Sequence, residues 1–311
     1  MKPKYTFLLP AYKSPYLHQA INSILSQTYS DFSLIISDDC SPEDLKAIVD
    51  SFSDPRLHYR RNETNLGGTN LVLHWNKLVD HCDSDYLILA SDDDIYDPTF
   101  LQEVDKLVCK YPNLDQIRAR VRMIDDNEEI FWEDLHYEEY MSQLKFCCYN
   151  PNTCIANTVF RTAALKALGG FISFPLAWGS DLATEMALSV HGVANTDSIL
   201  FSFRMSGVNI SSLKRNKRAD LLKLQAVFEF HKWFVNFMPS IKFEKNKLQN
   251  SYFEKLIIRM NGVVISQCIS SSWALPFFEY VKLFFKIKKE GLFYKRSVLA
   301  NGIRYFSSRY K

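Results

Sequence analysis

Three consecutive carboxylates, Asp92-Asp93-Asp94, follow the apolar run Tyr86–Leu89 with only Ala90 and Ser91 between. Adjacent carboxylates repel one another, and an apolar setting makes them costly unless a cation or hydrogen-bond donors compensate. A hard divalent cation is the usual compensator: Mg²⁺ takes one or two protein carboxylates and completes its shell with phosphate oxygens and water. A solvated turn with helix-capping aspartates ahead of Pro98 would account for the same three residues. A second acidic pair, Asp38-Asp39, ends another apolar run, Phe32–Ile36. Taken alone, the acidic triplet leaves both readings open.

The surrounding elements decide how such residues could be held. Tyr5–Leu9, Phe32–Ile36, Arg56–Tyr59 and Tyr86–Leu89 have the length and composition of strands. Between them, Leu17, Ala20, Ile21, Ile24 and Leu25, then Leu45, Ile48, Val49 and Phe52, then Leu71, Leu73, Trp75, Leu78 and Val79 recur at helical spacing. Alternating strands and helices predict an α/β fold with a mostly parallel, Rossmann-like central sheet flanked by helices. In such sheets ligands bind beyond the carboxyl ends of the strands, where both acidic clusters stand. Residues 115–205 read as mixed α and β, with strands at Gln116–Met123 and Thr153–Phe160 and a helix at Thr162–Leu168 stopped by Gly169-Gly170. From 216 onward the pattern is helical and rich in Phe, Tyr, Lys and Arg. The expected division is residues 1–215, in halves 1–114 and 115–215, and a helical appendage at 216–311.

Five short motifs occur in order: Pro10-Ala11-Tyr12, Ser26-Gln27-Thr28-Tyr29, Ser37-Asp38-Asp39-Cys40-Ser41, Asn65-Leu66-Gly67-Gly68 and Ser91-Asp92-Asp93-Asp94-Ile95-Tyr96. In order, spacing and strand-end placement they resemble the family 2 glycosyltransferases of GT-A fold, over roughly residues 4–212. The resemblance implies that Pro10, Ala11 and Tyr12 line a nucleotide pocket. Asp39 would accept a hydrogen bond from uracil N3–H, as an ionised, acceptor-only carboxylate can. Arg61, Asn65 and Gly67 would border the base and phosphates. Asp92 would touch ribose or sugar, and Asp93 or Asp94 would bind a divalent cation, Mn²⁺ or Mg²⁺. Such a cation stabilises a departing diphosphate as a Lewis acid. The acid that follows Gly169-Gly170-Phe171 in this family's pattern is Asp181, the implied general base for the acceptor hydroxyl; its other reading is a helix N-cap, and Glu185 is the alternative base. Phe203–Ser211 resembles a loop that closes over the diphosphate, with Arg204 on phosphate. Many relatives carry a histidine where Ser206 stands. The implied reaction is a single displacement with inversion, from a UDP-sugar to a saccharide or lipid-linked saccharide acceptor, in the building of a bacterial surface polysaccharide.

Bulk composition narrows the setting. The net charge is +2 over 311 residues, yet residues 221–311 hold sixteen Lys/Arg against five Asp/Glu, so the remainder is acidic. Lysines interleaved with aromatics, as in Phe277–Lys289, suit a helix lying against an anionic membrane surface, or a cap packed on the catalytic part. Seven irregularly spaced cysteines form neither a disulfide framework nor a C-x-x-C pair, which points to reduced thiols in a cytosolic protein. Tyr5–Leu9 is too short for a signal peptide, and Met260–Phe278 is too polar for a membrane span. The expected place is therefore the cytoplasm, with the tail able to touch the inner face of the cytoplasmic membrane. No nucleic-acid partner is expected. A nucleotidyltransferase would want a Gly-rich, basic phosphate loop after the first strand, which Pro10-Ala11-Tyr12 is not; a non-catalytic sugar-binding module would not need Asp39, Asp93 and Asp181.

Overall fold

The computed structural model describes residues 2–149, 154–206, 216–242 and 246–270. They fall into two compact units, residues 1–173 with 180–212 and residues 174–179 with those from 213 on.

The first unit opens with three strand–helix repeats. These are β1 (Tyr5–Ala11), α1 (Leu17–Leu25), β2 (Phe32–Asp38), α2 (Leu45–Val49), β3 (Leu57–Arg61), α3 (Gly67–Asp80) and β4 (Tyr86–Leu89). They continue into β5 (Ile95–Tyr96), α4 (Phe100–Lys110), β6 (Gln116–Ile124), β7 (Ile130–Glu133), β8 (Tyr140–Met141) and α5 (Gln143–Tyr149). After residue 154 come β9 (Thr158–Arg161), α6 (Thr162–Ala167), α7 (Ser180–Leu188) and β10 (Val193–Arg204). One sheet runs β3-β2-β1-β4-β9-β6-β10-β5, with β7 on β6 and β8 on β10.

β1 and β4 are near-continuous apolar runs, as strands buried on both faces must be. On α1, Leu17, Ala20, Ile21 and Ile24 are buried, the stripe the spacing predicts. The strands β3, β2, β1 and β4 are all parallel, as expected. Beyond them the sheet is mixed: β9 runs antiparallel to both β4 and β6, whereas β10 is parallel to β6. Register then sets the site. Ala11 lies beside Asp38, Asp38 beside Arg61, and Leu8 beside Leu89, so the acidic residues all emerge at one end of the parallel strands.

Gly170 illustrates why the Gly-Gly stop is needed. Its φ is +92°, and a Cβ there would come within 2.5 Å of Asn76 Oδ1. That same amide clamps the next residue, accepting from Phe171 N at 2.7 Å and donating to Phe171 O at 3.0 Å. The turn after α6 is thereby tied to α3.

The second unit contains α8 (Lys217–Phe237) and α9 (Lys247–Ser270). Asn216 caps α8 by accepting from Ala219 N at 3.0 Å. Residues 174–179 lie on α8: the Phe174 ring meets Phe230 edge-on at 5.9 Å, and Lys223 Nζ stands 4.4 Å from the Trp178 ring centre. The basic, aromatic stretch at 277–289 and the loop residues 207–211 lie outside the described residues. Among the described residues no helix is long and apolar enough to cross a membrane.

Candidate active site

The loop after β1 is held by its backbone. Asp92 Oδ2 accepts from Tyr12 N at 3.0 Å and from Lys13 N at 2.9 Å, while Ser41 Oγ donates to Tyr12 O at 2.7 Å. Ala11 is buried and its carbonyl accepts from Asp39 N at 2.9 Å, whereas the Tyr12 ring is exposed. Asp92 therefore fastens the loop that carries Pro10, Ala11 and Tyr12, a job its sequence position does not announce.

Asp38 and Asp39 divide their labour. Asp38 is buried and faces inward, accepting from Ser41 N at 2.8 Å and Tyr59 Oη at 2.6 Å and pairing with the Arg61 guanidinium. Arg61 also donates to Ser41 O at 2.7 Å and stays partly exposed. Asp39 gathers the neighbouring loop: Asn62 Nδ2 at 2.8 Å, Leu66 N at 3.0 Å and Gly67 N at 2.6 Å all donate to it. Gly67 approaches so closely that a Cβ would stand 2.9 Å from Asp39 Oδ2. Asn65 closes the same loop by accepting from Gly68 N. Two carboxylate oxygens offer about four acceptor positions, so three donors leave room for one more.

Asp93 and Asp94 are buried as well. Ser91 Oγ donates to Asp93 Oδ1, and Lys13 Nζ lies 3.0 Å from Asp93 Oδ2 and 3.5 Å from Asp92 Oδ1. Asp94 Oδ1 accepts from Arg204 N at 2.8 Å. Burial pushes the Asp92 carboxyl above the ordinary carboxylate range, and the Asp93 charge adds to it against the pull of Lys13. Burial and then the Asp93 charge push Asp94 further still. Lys13 was not singled out from sequence. The signal available was a basic residue just past the first strand end, opposite an acidic triplet.

Among the described residues no three His, Cys, Asp or Glu side chains are grouped to hold a metal by themselves. One or two carboxylates here fit instead the donor set of Mg²⁺ or Mn²⁺, which takes few protein ligands and shares the rest with phosphate oxygens. The side chains that would hold it are Asp93 and Asp94.

Arg204 corrects an expectation. It is fully buried, and its Nε donates to Asp93 O at 3.0 Å, Nη1 to Asp125 O at 3.2 Å and Nη2 to Gln19 Oε1 at 3.0 Å. Its guanidinium stacks over the Tyr16 ring at 4.2 Å. A side chain so committed is a strut beneath the acidic turn and not an arm reaching phosphate. Replacing it by methionine would orphan two carbonyls and an amide. Arg204→Met is therefore expected to lower the unfolding free energy by on the order of 3 kcal/mol, measurable by denaturant titration. Ser206 is buried.

Asp181 lies in the first turn of α7 rather than at its cap, with Oδ1 accepting from Leu182 N at 2.8 Å. Its side chain is half-buried, and desolvation pushes its carboxyl up to about 6 against the pull of the Leu182 N–H. Glu185, the alternative base, is fully buried and accepts from Thr158 Oγ1 at 2.9 Å inside the sheet. Burial raises the Cys154 thiol well above its ordinary range, and the charges of Asp94, Glu185 and Asp181 add to it.

Comparison with known proteins follows this geometry. The chain is 30% identical over 95 residues to the GalNAc(5)-diNAcBac-PP-undecaprenol beta-1,3-glucosyltransferase of Campylobacter jejuni, covering 30% of each chain. It spans between about a third and a half of the length of the curated relatives it matches. Its fold is similar to that of Staphylococcus aureus TarS 1–349 in complex with UDP-GlcNAc, with TM-score 0.58 and 17% identity over 88% of this chain and 87% of that one. It is similar also to the mannosyltransferase PcManGT of Pyrobaculum calidifontis in complex with GDP-Man and Mn²⁺, with TM-score 0.55 and 11% identity over 98% of this chain and 87% of that one. The model of the family described as "Glycosyl transferase family 2" matches residues 6–169, more than half of the chain and the whole stretch from β1 to the Gly-Gly stop. The chain belongs to glycosyl transferase family 2.

Proposed function

We propose that the protein is a glycosyltransferase that moves a sugar from a UDP-sugar to a hydroxyl of a saccharide acceptor, with inversion. The observation that carries this reading is the Asp92–Asp94 turn just past β4, with Asp39 just past β2 at the same end of the parallel strands. Asp39 would accept from a base N–H, and the exposed Tyr12 ring would take part in holding the nucleotide. A divalent cation, held by Asp93 and Asp94, would supply Lewis-acid stabilisation of the departing diphosphate. Asp181 would take the proton of the attacking hydroxyl. A carboxyl raised to about 6 is a stronger base than an ordinary aspartate and still ionised at neutral pH. Inversion follows if the hydroxyl attacks opposite the diphosphate, with no covalent sugar–enzyme step. The named activity of the Campylobacter relative makes a polyprenyl-diphosphate-linked oligosaccharide the first acceptor class to try.

The test is a panel of UDP-sugars with Mn²⁺ and a pool of lipid-linked and free saccharide acceptors. Acceptor-dependent release of UDP from one donor is expected. Release of sugar 1-phosphate in its place, with UMP passed to the acceptor, would mean nucleotidyl transfer. Donor binding without turnover of any donor would mean a non-catalytic module.

A further inference from the structure

Within the acidic turn, one side chain does not belong to the carboxylate framework. Lys13 Nζ stands between two of the three aspartates, 3.0 Å from Asp93 Oδ2 and 3.5 Å from Asp92 Oδ1. It occupies the kind of position a cation would take between them. Its backbone and side chain behave differently. The Lys13 N–H is fixed to Asp92 Oδ2 at 2.9 Å, and the next residue is fixed as well, Ser14 N donating to Glu43 Oε2 at 3.0 Å. The side chain is 32% exposed, unlike the two carboxylates at 9% each. A rigid anchor thus bears a four-carbon arm whose head is the most accessible charge in the turn. Lysine suits this use, because its ammonium is a compact point charge on a flexible stem that can exchange one anionic partner for another.

We propose that Lys13 is a built-in counter-ion for the Asp92–Asp93 pair that yields its place when the divalent cation and a nucleoside diphosphate arrive together. This rests on the glycosyltransferase reading of the site. Without nucleotide, the ammonium and a divalent cation compete for the same carboxylate oxygens, so the free protein holds metal weakly. A diphosphate brings new anionic oxygens to the mouth of the turn. Lys13 can then leave the aspartates and pair with phosphate, while the cation takes the freed Asp93 oxygen. Metal and nucleotide consequently bind with positive coupling, and by linkage each strengthens the other by the same factor. Lys13 is in this sense a positioning residue. It keeps the acidic turn neutralised and folded in the absence of ligands and marks the diphosphate side of the turn when they are present.

The test is Mn²⁺ binding to the full chain by electron paramagnetic resonance, with and without saturating UDP, in wild type, Lys13→Met and Lys13→Arg. Without UDP, Lys13→Met is expected to bind Mn²⁺ at least about tenfold more tightly than wild type, with Lys13→Arg close to wild type. UDP is expected to tighten Mn²⁺ binding in wild type by a much larger factor than in Lys13→Met. The metal-free Lys13→Met protein is also expected to melt below wild type and to recover more on adding Mn²⁺, which keeps the comparison decisive if its apo form is weakly folded. Equal Mn²⁺ affinity of wild type and Lys13→Met without UDP would overturn the competition. Equal tightening by UDP in both would overturn the transfer of Lys13 to phosphate. Failure of all three proteins to bind UDP would remove the donor reading and the transfer step with it, and the nucleotide-free comparison would still decide the competition.

Discussion

Asp93→Ala is expected to abolish Mn²⁺-dependent binding of UDP and to lower sugar transfer by about a thousandfold or more. A Lewis acid at a departing diphosphate contributes several kcal/mol to the transition state, and each 1.4 kcal/mol is about a factor of ten in rate. The expectation falls on Asp93 because of its partners. Its two oxygens meet only a serine hydroxyl and a lysine ammonium, both on side chains able to turn away. Asp92 is bound by two backbone N–H groups that fix the first loop, and Asp94 by the backbone N–H of Arg204. Removing either acceptor should therefore loosen the turn itself. Asp94→Asn keeps the acceptor for Arg204 N and sheds a buried charge, so it is expected to match or exceed wild type in stability at neutral pH and to cost less metal-dependent affinity than Asp93→Ala. Calorimetric titration of UDP with and without Mn²⁺, beside a melting curve for each variant, separates the outcomes. Metal-dependent affinity unaltered in Asp93→Ala would take Asp93 out of the metal site, and its loss in Asp94→Asn would put Asp94 there.

What could be read from residues alone, and what could not, follows from where each signal lives. β4 is four apolar residues ending at an acidic turn, and a short run of that kind has few other homes in an alternating α/β chain. α1 shows its buried face as a spacing. By contrast, β10 carries Asn195, Thr196, Asp197, Ser198 and Ser202, and its pairing with β6 slips twice between Asn195 and Phe201. No periodicity survives that, and the strand exists because β6 and β5 flank it. β5 is two residues long and has no pattern to detect. The antiparallel entry of β9 beside β4 is likewise invisible, since strand direction is a property of the connection and not of the strand.

The site divides in the same way. Acidic residues at strand ends are local features, so Asp39 and Asp92–Asp94 were legible. The motifs give no partners. Arg204 looked like a phosphate ligand because it is a cation near the acids in the family's order of motifs. Only packing reveals that Gln19, Asp125 and the Tyr16 ring enclose it. Lys13 was overlooked for the opposite reason: a single lysine in a loop is unremarkable until its ammonium is found between two carboxylates. Asp92 likewise serves the loop after β1 through main-chain donors, which leave no trace in residue types.

Asp181 carries the second large effect, and its signature differs from that of Asp93. Asp181→Asn is expected to lower kcat by about 10²–10⁴-fold, the usual range for a positioned general base, while the affinity for UDP and Mn²⁺ stays near wild type. The amide keeps the shape of the carboxylate and can still accept from Leu182 N, so a residue acting only as a helix-end partner would tolerate the change. The pH dependence gives an independent readout. The base must be ionised, and its carboxyl is raised to about 6, so kcat/KM should climb with pH through about 6 and level off above it. In Asp181→Asn the residual rate should lose that step. The sign for folding runs the other way from an ordinary ion-paired aspartate. A folded-state pKa above the unfolded value means that the native state binds the proton more tightly, so ionising Asp181 costs stability as pH rises from about 4 toward 6. The asparagine variant escapes that cost, so at neutral pH its melting temperature should match or exceed that of wild type. A drop in stability with kcat intact would return Asp181 to a structural role. A large loss of kcat together with equal or higher stability is the pattern of a base held at an elevated pKa for chemistry, at the expense of the fold that holds it.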